Sequence, residues 1–201
     1  ASPEYGKETF RERLDREVRR VKAAHPDALY VGLADGAPDN WEFLSPRTDR
    51  QVLDFYHARE YVGKAAEAIH GYGAKRRDWE DDWSHRLKHT KGAAKRLLSE
   101  MEECAPRIRG KTDREELGKA ITYFTNHREK MQYWRHTAEG LPIGSGVTEA
   151  ACKTLIKQRL ACSGMRWKEE GASAVIALRS LEMTEGRWGQ FWRHMDRYGV
   201  N

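Results

Sequence analysis

Apolar side chains recur at helical spacing along most of this chain, and two short apolar runs interrupt that pattern. Over residues 8–24 the apolar positions return every three to four residues among arginines and glutamates, which predicts an amphipathic helix. Residues 28–34 are almost wholly apolar and are bounded by turn residues, which favours a buried strand of a parallel sheet. Residues 51–57 predict a second short strand, followed by a helix up to about His70.

The middle of the chain is highly charged and helical in its periodicity. One long helix is predicted from Arg76 to about Ala105, and another from Asp113 to Thr137. Because only a short loop joins them, we expect an antiparallel helical hairpin. The chain then divides into three segments: 1–73 with both strands, 74–140 as a helical insertion, and 141–201 with the last helices.

Composition narrows the class of protein without naming a partner. The 201 residues carry a net charge of +5 at pH 7, which is compatible with nucleic-acid binding but does not require it. The cysteines (Cys104, Cys152 and Cys162) form no Cys-x-x-Cys pair, which fits a reducing cytoplasm. No apolar run approaches the ~20 residues of a membrane span and no signal peptide opens the chain, so we expect a cytoplasmic protein without a membrane partner.

Glu149 combines an acid with cations on one predicted helical face. It follows a Pro/Gly/Ser-rich loop, and Ser145 or Thr148 is expected to cap a helix that begins at about Thr148. Lys153 and Lys157 lie four and eight residues after Glu149 and share its face. A metal-dependent enzyme acting on a phosphate backbone needs a carboxylate for the metal and cations for the strand. The alternative is a solvated surface helix with Glu–Lys pairs.

Asp35 directly follows the first predicted strand. Open α/β sheets bind ligands at the carboxyl ends of their strands, although Asp-Gly is also ordinary turn chemistry. Asp54 and His57 stand three residues apart in the second apolar run. His57 can orient a phosphate or a water molecule, or Asp54 and His57 can pair to fix the local structure.

Two pairs on the predicted long helix have simpler interpretations. His85 and His89 have the spacing of a shared metal site, but this spacing on a charged helix is more typical of a solvated pair. Trp79 and Trp83 are expected to pack on the partner helix, and stacking on bases is the alternative.

Two motifs resemble those of a known family. Gly144-Ser-Gly-Val-Thr-Glu-Ala-Ala-Cys-Lys153, with Gly164-Met-Arg-Trp167 downstream, resembles the last catalytic block of bacterial insertion-sequence transposases of the ISKra4 type, in the DDE/RNase H-like superfamily. Ala34-Asp-Gly-Ala-Pro38, with Trp41 three residues on, resembles the turn that holds the second acid of that family.

The resemblance implies roles for the candidate residues. Asp35 and Glu149 are implied to be the second and third acids of the catalytic triad and ligands of Mg²⁺ (or Mn²⁺), with two ions in the complete enzyme. Asp54-x-x-His57 resembles an Asp/Cys-x-x-His element of several transposase families, which implies a role in supporting the metal ligands. The implied fold is α/β and mostly helical: a partial RNase H-like fold with two short parallel strands and the helical hairpin as an insertion.

The implied activity is metal-dependent DNA cleavage and strand transfer, with water or a DNA 3′-hydroxyl as nucleophile. The first Asp and the first three strands of such a fold are not recognisable in the chain, so we expect it to be the carboxyl-terminal part of a transposase. Alone, it is expected to bind Mg²⁺ poorly and to be inactive.

The implied partners are transposon ends and target DNA in the bacterial nucleoid, with a homo-oligomer as a further option. The residues expected to contact DNA are Lys153, Lys157, Arg159, Arg166 and Trp167; for Trp167, packing on the core is an equal alternative. Two other classes of protein stay open. One is a non-catalytic DNA-binding or assembly module derived from a transposase, and the other is a helical interaction protein whose charge only solvates it.

Overall fold

A computed structural model of the chain describes residues 6–199. This part is mostly helical and contains a small parallel sheet of two strands, as the sequence predicted for the fold class. In chain order the elements are α1 (Gly6–Ala24), β1 (Val31–Ala34), α2 (Pro38–Leu44), β2 (Arg50–Leu53), α3 (Phe55–His70), α4 (Ala74–His89), α5 (Ala93–Cys104), α6 (Lys111–His127), α7 (Tyr133–Ala138), α8 (Gly146–Cys152), a π turn (Lys153–Lys157), α9 (Gln158–Leu160), α10 (Glu169–Glu182) and α11 (Arg187–Tyr198).

The chain folds into two compact units. The sheet unit is Asp27–Ser145, and the terminal unit combines Ala1–Pro26 with Gly146–Asn201. The sheet unit holds both strands and α2–α7, whereas the terminal unit holds α1 and α8–α11. The division predicted above, into 1–73, 74–140 and 141–201, separates a catalytic core from an insertion rather than compact units, and it stays a prediction.

The two strands pair in parallel, with Val31 opposite Arg50 and Ala34 opposite Leu53. Both are shorter than predicted, and the second ends four residues before His57. The physical reason is Asp54, whose carboxylate accepts from the N–H groups of Tyr56 and His57 and so caps a helix that begins at Phe55. The prediction of strand over residues 54–57 was therefore wrong.

The long helices predicted in the middle of the chain are each interrupted. The segment expected to be continuous from Arg76 to Ala105 is α4 and α5, because the backbone becomes extended at Thr90 (φ −120°, ψ 123°). Thr90 and Gly92 are weak helix formers, which favours a break here. The helix expected to reach Thr137 ends at His127 and is followed by the short α7.

The interrupted helices pack as a bundle rather than as a simple hairpin of two long helices. Helix α3 packs mainly against α4 and α6, α4 also packs against α7, and α5 contacts both α4 and α6. The indole N–H groups of Trp79 and Trp83 on α4 both donate to the carboxylate of Glu100 on α5, at 2.6 and 3.4 Å. Because α5 was predicted to be part of the same helix as α4, this contact is not the predicted one, and packing of the two tryptophans on the partner helix of the hairpin stays a prediction.

The sheet unit has a continuous hydrophobic core. It joins both strands to α3–α7, and its fully buried apolar members include Val52, Leu53, Phe55, Ala58, Val62, Ala65, Leu87, Leu97, Met101, Leu117, Ala120, Phe124 and Tyr133. Phe55 and Tyr133 meet edge to face, with ring centroids 5.3 Å apart. This core holds the end of β2 rigidly beside the helices.

The terminal unit is packed more openly. None of its described residues is buried, and Trp188 and Trp192 on α11 remain 39% and 48% exposed. Its helices are tied by polar contacts: the guanidinium of Arg179 on α10 donates to the carbonyls of Thr154 (3.0 Å) and Leu155 (3.1 Å) in the π turn. Over the described range, no helix is both long and apolar enough to cross a membrane.

Candidate functional site

Asp35 begins the turn that follows β1, and its exposed carboxylate is held through one oxygen. Oδ1 accepts from the backbone N–H of Ala37 at 3.1 Å and from the side-chain amide of Asn40 at 2.9 Å. Oδ2 accepts no hydrogen bond from the described residues. The hydrogen bonds from Ala37 and Asn40 are ordinary for an Asp in a turn. They fix the orientation of the carboxylate and leave one oxygen available to a ligand.

The Asp35–Gly36 turn lies against α6. Gly36 has φ +98°, and a Cβ atom there would lie 3.1 Å from Nε2 of His127 and 3.2 Å from Cδ1 of Leu53. A larger residue would be strained in its backbone and crowded by both neighbours. The hydroxyl of Tyr123 donates to the carbonyl oxygen of Asp35 at 3.2 Å. Helix α6, in the predicted insertion, therefore positions the turn.

Tyr123 is itself fixed by aromatic neighbours. Its ring stacks on that of Tyr61 with centroids 3.8 Å apart and planes 12° from parallel, and His127 meets it at 4.9 Å. Burial, reinforced by the negative charge of Asp35, raises the pKa of Tyr123, so its hydroxyl stays protonated and able to donate. Burial and the nearby Lys130 lower the pKa of His127, which favours a neutral imidazole.

Asp54 occupies the position on β2 that Asp35 occupies on β1. Because Ala34 is opposite Leu53, both acids immediately follow paired residues at the carboxyl edge of the sheet. The N–H of Asp54 extends the ladder by donating to the carbonyl of Ala34 at 2.7 Å. Unlike Asp35, Asp54 is buried, with only 1% of its surface exposed.

The carboxylate of Asp54 is saturated with donors. Oδ1 accepts from the N–H of Tyr56 at 2.7 Å and from that of His57 at 3.3 Å, and Oδ2 accepts from the N–H of Ser145 at 2.7 Å. Burial raises the pKa of Asp54, but the hydrogen bonds from Ser145, His57 and Tyr56 outweigh it and the net pKa is lowered. Asp54 is therefore a buried carboxylate that stays ionised.

The loop before Glu149 is anchored to the start of α3. Besides the Ser145–Asp54 contact, the N–H of Phe55 donates to the carbonyl of Ile143 at 2.8 Å. A Cβ atom on Gly144 would lie 2.8 Å from two ring carbons of Tyr56, so this close approach requires glycine. The Gly-Ser-Gly motif thus serves, at its first two residues, to bring the loop onto Asp54.

His57 is less engaged than Asp54. Its Nδ1 atom lies 3.7 Å from Oδ1 of Asp54, beyond hydrogen-bond distance, and its side chain is 46% exposed. Asp54 is thus satisfied by backbone groups and by Ser145 rather than by the imidazole. The role of His57 towards a phosphate or a water molecule stays a prediction.

Glu149 lies on α8 in the terminal unit, in a groove that Lys153 and Lys157 also line. The helix begins at Gly146, two residues earlier than predicted, and its winding widens into the π turn from Lys153 to Lys157. The predicted association of one acid with two cations is present in this groove. The side chains of Lys153 and Lys157 form no ion pair with the other described residues.

The remaining predicted DNA contacts follow the π turn. Arg159 lies on α9 and Arg166 in the loop before α10; both are exposed, and neither side chain pairs with another described residue. Trp167 is 37% exposed, so it keeps a surface for a partner. These residues belong to the same unit as Glu149.

The structure groups the predicted residues in two places. Asp35, Asp54 and the loop up to Ser145 converge in the sheet unit, whereas Glu149 and the predicted DNA contacts lie in the terminal unit. Among residues 6–199, no group of three or more His, Cys, Asp or Glu side chains is arranged to hold a metal. The ring centroids of His85 and His89, the pair with the spacing of a shared metal site, are 4.7 Å apart. A metal shared by Asp35 and Glu149 stays a prediction.

Sequence reasoning missed Tyr123, Asn40 and the Ser145–Asp54 contact. Asn40 had a detectable signal, because an amide five residues after an acid in a turn can reach back to it. Tyr123 is 88 residues from Asp35 and had none.

Comparison with known proteins assigns no family. No protein-family model matches the chain, and neither a curated protein nor a solved structure matches it significantly. What the chain does must therefore be inferred from its residues and from the geometry described above.

Proposed function

We propose that this chain is the carboxyl-terminal part of a DDE transposase of the ISKra4 type, with an RNase H-like fold. The reaction would be metal-dependent cleavage of DNA and transfer of the cleaved strand to a target. Asp35 and Glu149 would be the second and third acids of the triad, and transposon ends and target DNA would be the substrates. No residue of this chain is proposed as the first acid.

One observation carries the proposal: three separate motifs meet at one edge of the sheet. Asp35 and Asp54 follow the paired ends of two parallel strands, and Ser145 is bound to Asp54. Open α/β sheets bind their ligands at this edge. Asp35, Asp54 and the start of the Gly-Ser-Gly motif are thus adjacent in space, although Ser145 is 91 residues from Asp54. A surface turn without function would not require this convergence.

The carboxylate oxygens of Asp35 and Glu149 are of the type that binds a hard divalent cation such as Mg²⁺. Carboxylate oxygens are the ligands that Mg²⁺ prefers, and Oδ2 of Asp35 accepts no hydrogen bond from the described part of the chain. When bound, the metal would stabilise negative charge on the phosphate and activate an oxygen nucleophile. Asn40 and the N–H of Ala37 hold the Asp35 carboxylate in place, and Lys153 and Lys157 supply charge to hold a phosphate backbone.

A titration with Mn²⁺, followed by electron paramagnetic resonance of the free ion, tests the assignment of the two acids. We expect weak binding by the parent chain. Asp35→Asn and Glu149→Gln should each lower the affinity by at least ~10-fold more, because replacing a residue that only hydrogen-bonds to a metal ligand already costs about that much. Asp39→Asn and Glu170→Gln are matched controls, because they remove equal charge from the same turn region and from α10. Equal affinity in all five proteins would refute the assignment.

Activity of the chain by itself gives a second test. Because the triad lacks its first acid in this proposal, we expect no measurable cleavage of duplex DNA by the 201 residues in Mg²⁺ or Mn²⁺. Metal-dependent cleavage that Glu149→Gln abolishes would show that the missing acid is not needed. It would contradict that part of the proposal while supporting the role of Glu149.

The alternative is a non-catalytic DNA-binding or assembly module derived from a transposase. It is favoured by four cations that pair with no other described residue and need no metal to bind DNA: Lys153 and Lys157 in the π turn, Arg159 on α9 and Arg166 in the loop before α10. Such a module would bind duplex DNA with the same affinity after Asp35→Asn and Glu149→Gln, and would show no Mn²⁺ site that depends on these residues. Binding of DNA that does not weaken with salt would instead point to a helical interaction protein.

A further inference from the structure

A second basic groove lies in the terminal unit, between α1 and α10 and beside the start of α11. Four arginines line it: Arg13, Arg16 and Arg20 from α1, and Arg187 from α11. Leu14 and Leu181 contribute to its apolar surface. Glu17 is the one acid among the described lining residues, whose side chains together carry three more positive charges than negative ones. This groove is separate from the one lined by Glu149.

Glu17 organises the groove. One nitrogen of the Arg187 guanidinium donates to both of its carboxylate oxygens, at 2.8 and 3.0 Å, and Nε of Arg20 donates to one of them at 3.0 Å. The hydrogen bond from Arg187 lowers the pKa of Glu17, so this carboxylate stays ionised at neutral pH. The contacts orient two guanidinium groups, each of which has five N–H donors and uses only some of them here.

The arginines of α1 form a row along the groove. Arg13, Arg16 and Arg20 are separated by three and four residues and therefore share one face of the helix. The row spans about 10 Å at 1.5 Å per residue. That length matches three steps between successive phosphates of one strand, because the phosphates advance by about 3.4 Å each along a duplex. The guanidinium fork also matches the geometry of phosphate oxygens.

Helix α10 links this groove to the helix that carries Glu149. Ala177, Ser180 and Leu181 of α10 line the arginine groove, while Arg179 of the same helix donates to the carbonyls of Thr154 and Leu155 in the π turn. The two basic grooves therefore lie in one unit on elements that contact each other. A ligand that reaches both must be an extended polyanion rather than a small anion.

We propose that the groove between α1 and α10 binds the phosphate backbone of duplex DNA, as a second contact surface beside Lys153 and Lys157. This proposal rests on the proposed function for its partner, but not on catalysis or on a metal. An acidic protein surface is the competing ligand. The regular row of arginines favours DNA, because phosphates repeat along a strand at a fixed interval whereas carboxylates on a protein do not.

The experiment measures the affinity of the 201-residue chain for a fluorescein-labelled duplex by anisotropy, from 50 to 200 mM NaCl. In Arg13→Gln/Arg16→Gln we expect at least ~10-fold weaker binding at 50 mM. The slope of log affinity against log salt should fall by about 1.8, since each lost phosphate contact removes about 0.9. Arg11→Gln/Arg19→Gln is the matched control: it removes the same two charges from the same helix, but neither arginine lines the groove.

A conservative variant and a second groove variant separate the possible outcomes. Arg13→Lys/Arg16→Lys keeps both charges, so we expect the parent slope to return, which a folding defect would not produce. If Lys153→Gln/Lys157→Gln weakens DNA binding but Arg13→Gln/Arg16→Gln does not, the arginine groove is refuted and the proposed function stands. If the parent binds no duplex at 50 mM NaCl, both proposals fail. Tighter binding of polyglutamate than of a duplex of equal charge would also overturn the groove proposal.

Discussion

Asp54 accepts a hydrogen bond of 2.7 Å from the backbone N–H of Ser145, 91 residues further along the chain. Asp54 ends the sheet ladder and caps α3, so one buried carboxylate connects a strand, a helix and a distant loop. The residue after Ser145 is Gly146, where α8 begins. Ser145 is the last residue of the sheet unit, so this contact fixes the end of the unit's final loop at the edge of the sheet.

Replacing this carboxylate should destabilise the fold strongly. For Asp54→Ala we expect a loss of about 3 kcal/mol in the free energy of unfolding, because a helix cap is worth ~1 kcal/mol and a hydrogen bond to a charged group ~1.5–3 kcal/mol. Urea unfolding of the full chain, followed by circular dichroism, measures it. Asp78→Ala on α4 removes an exposed acid and should change stability by less than about 0.5 kcal/mol. A loss below 1 kcal/mol for Asp54→Ala would contradict the anchoring role.

The same carboxylate predicts how stability depends on acid pH. The pKa of Asp54 is lower in the folded chain than its ordinary value of 3.8, so folding favours the ionised form. Its contribution is fully present above pH 3.8 and is lost as the pH falls towards the folded-state pKa. We expect the stability difference between the parent and Asp54→Asn to be constant from pH 7 to about pH 5. Below pH 3.8 it should shrink, and a difference that grows there would reverse the assigned sign.

Gly144 tests the close approach of the loop to α3. A methyl group at this position would lie 2.8 Å from the ring of Tyr56, so Gly144→Ala should cost about 2 kcal/mol through overpacking. Gly146→Ala is the matched control, because nothing lies within 4 Å of its added carbon. In the double variant Gly144→Ala/Tyr56→Ala the penalty should largely disappear. Additive costs in the double variant would show that the ring is not the obstacle.

Tyr123 tests whether α6 positions Asp35. Tyr123→Phe removes only the hydroxyl that donates to the Asp35 carbonyl, so we expect a loss of about 1 kcal/mol in stability. If Asp35 binds a metal as proposed, Mn²⁺ affinity should also fall, because the turn loses part of its support. Tyr72→Phe, at a position 86% exposed, should leave Mn²⁺ affinity unchanged. Lower stability with unchanged Mn²⁺ affinity would limit Tyr123 to a structural role.

Local patterns predicted the elements near the sheet well. The apolar runs located both strands, and the parallel pairing expected from their buried character is present. The position of Asp35 after β1 also followed from the sequence, because turn residues end the apolar run at once. The prediction of one continuous helix from Arg76 to Ala105 was wrong, because the helix is interrupted between Thr90 and Gly92. Helical periodicity continues across that break, so periodicity alone did not reveal it.

The sequence by itself determined the location of the two strands and the basic charge. It also placed Asp35 directly after a strand and Glu149 in the first turn of a helix. These follow from interactions between residues a few positions apart. Only the tertiary structure decided that Asp54 is buried and bound to Ser145, that Tyr123 supports the Asp35 turn, and that the arginines of α1 share a groove with Arg187. Such contacts join residues 88 to 170 positions apart. They depend on how whole elements pack, which no local pattern of residues encodes.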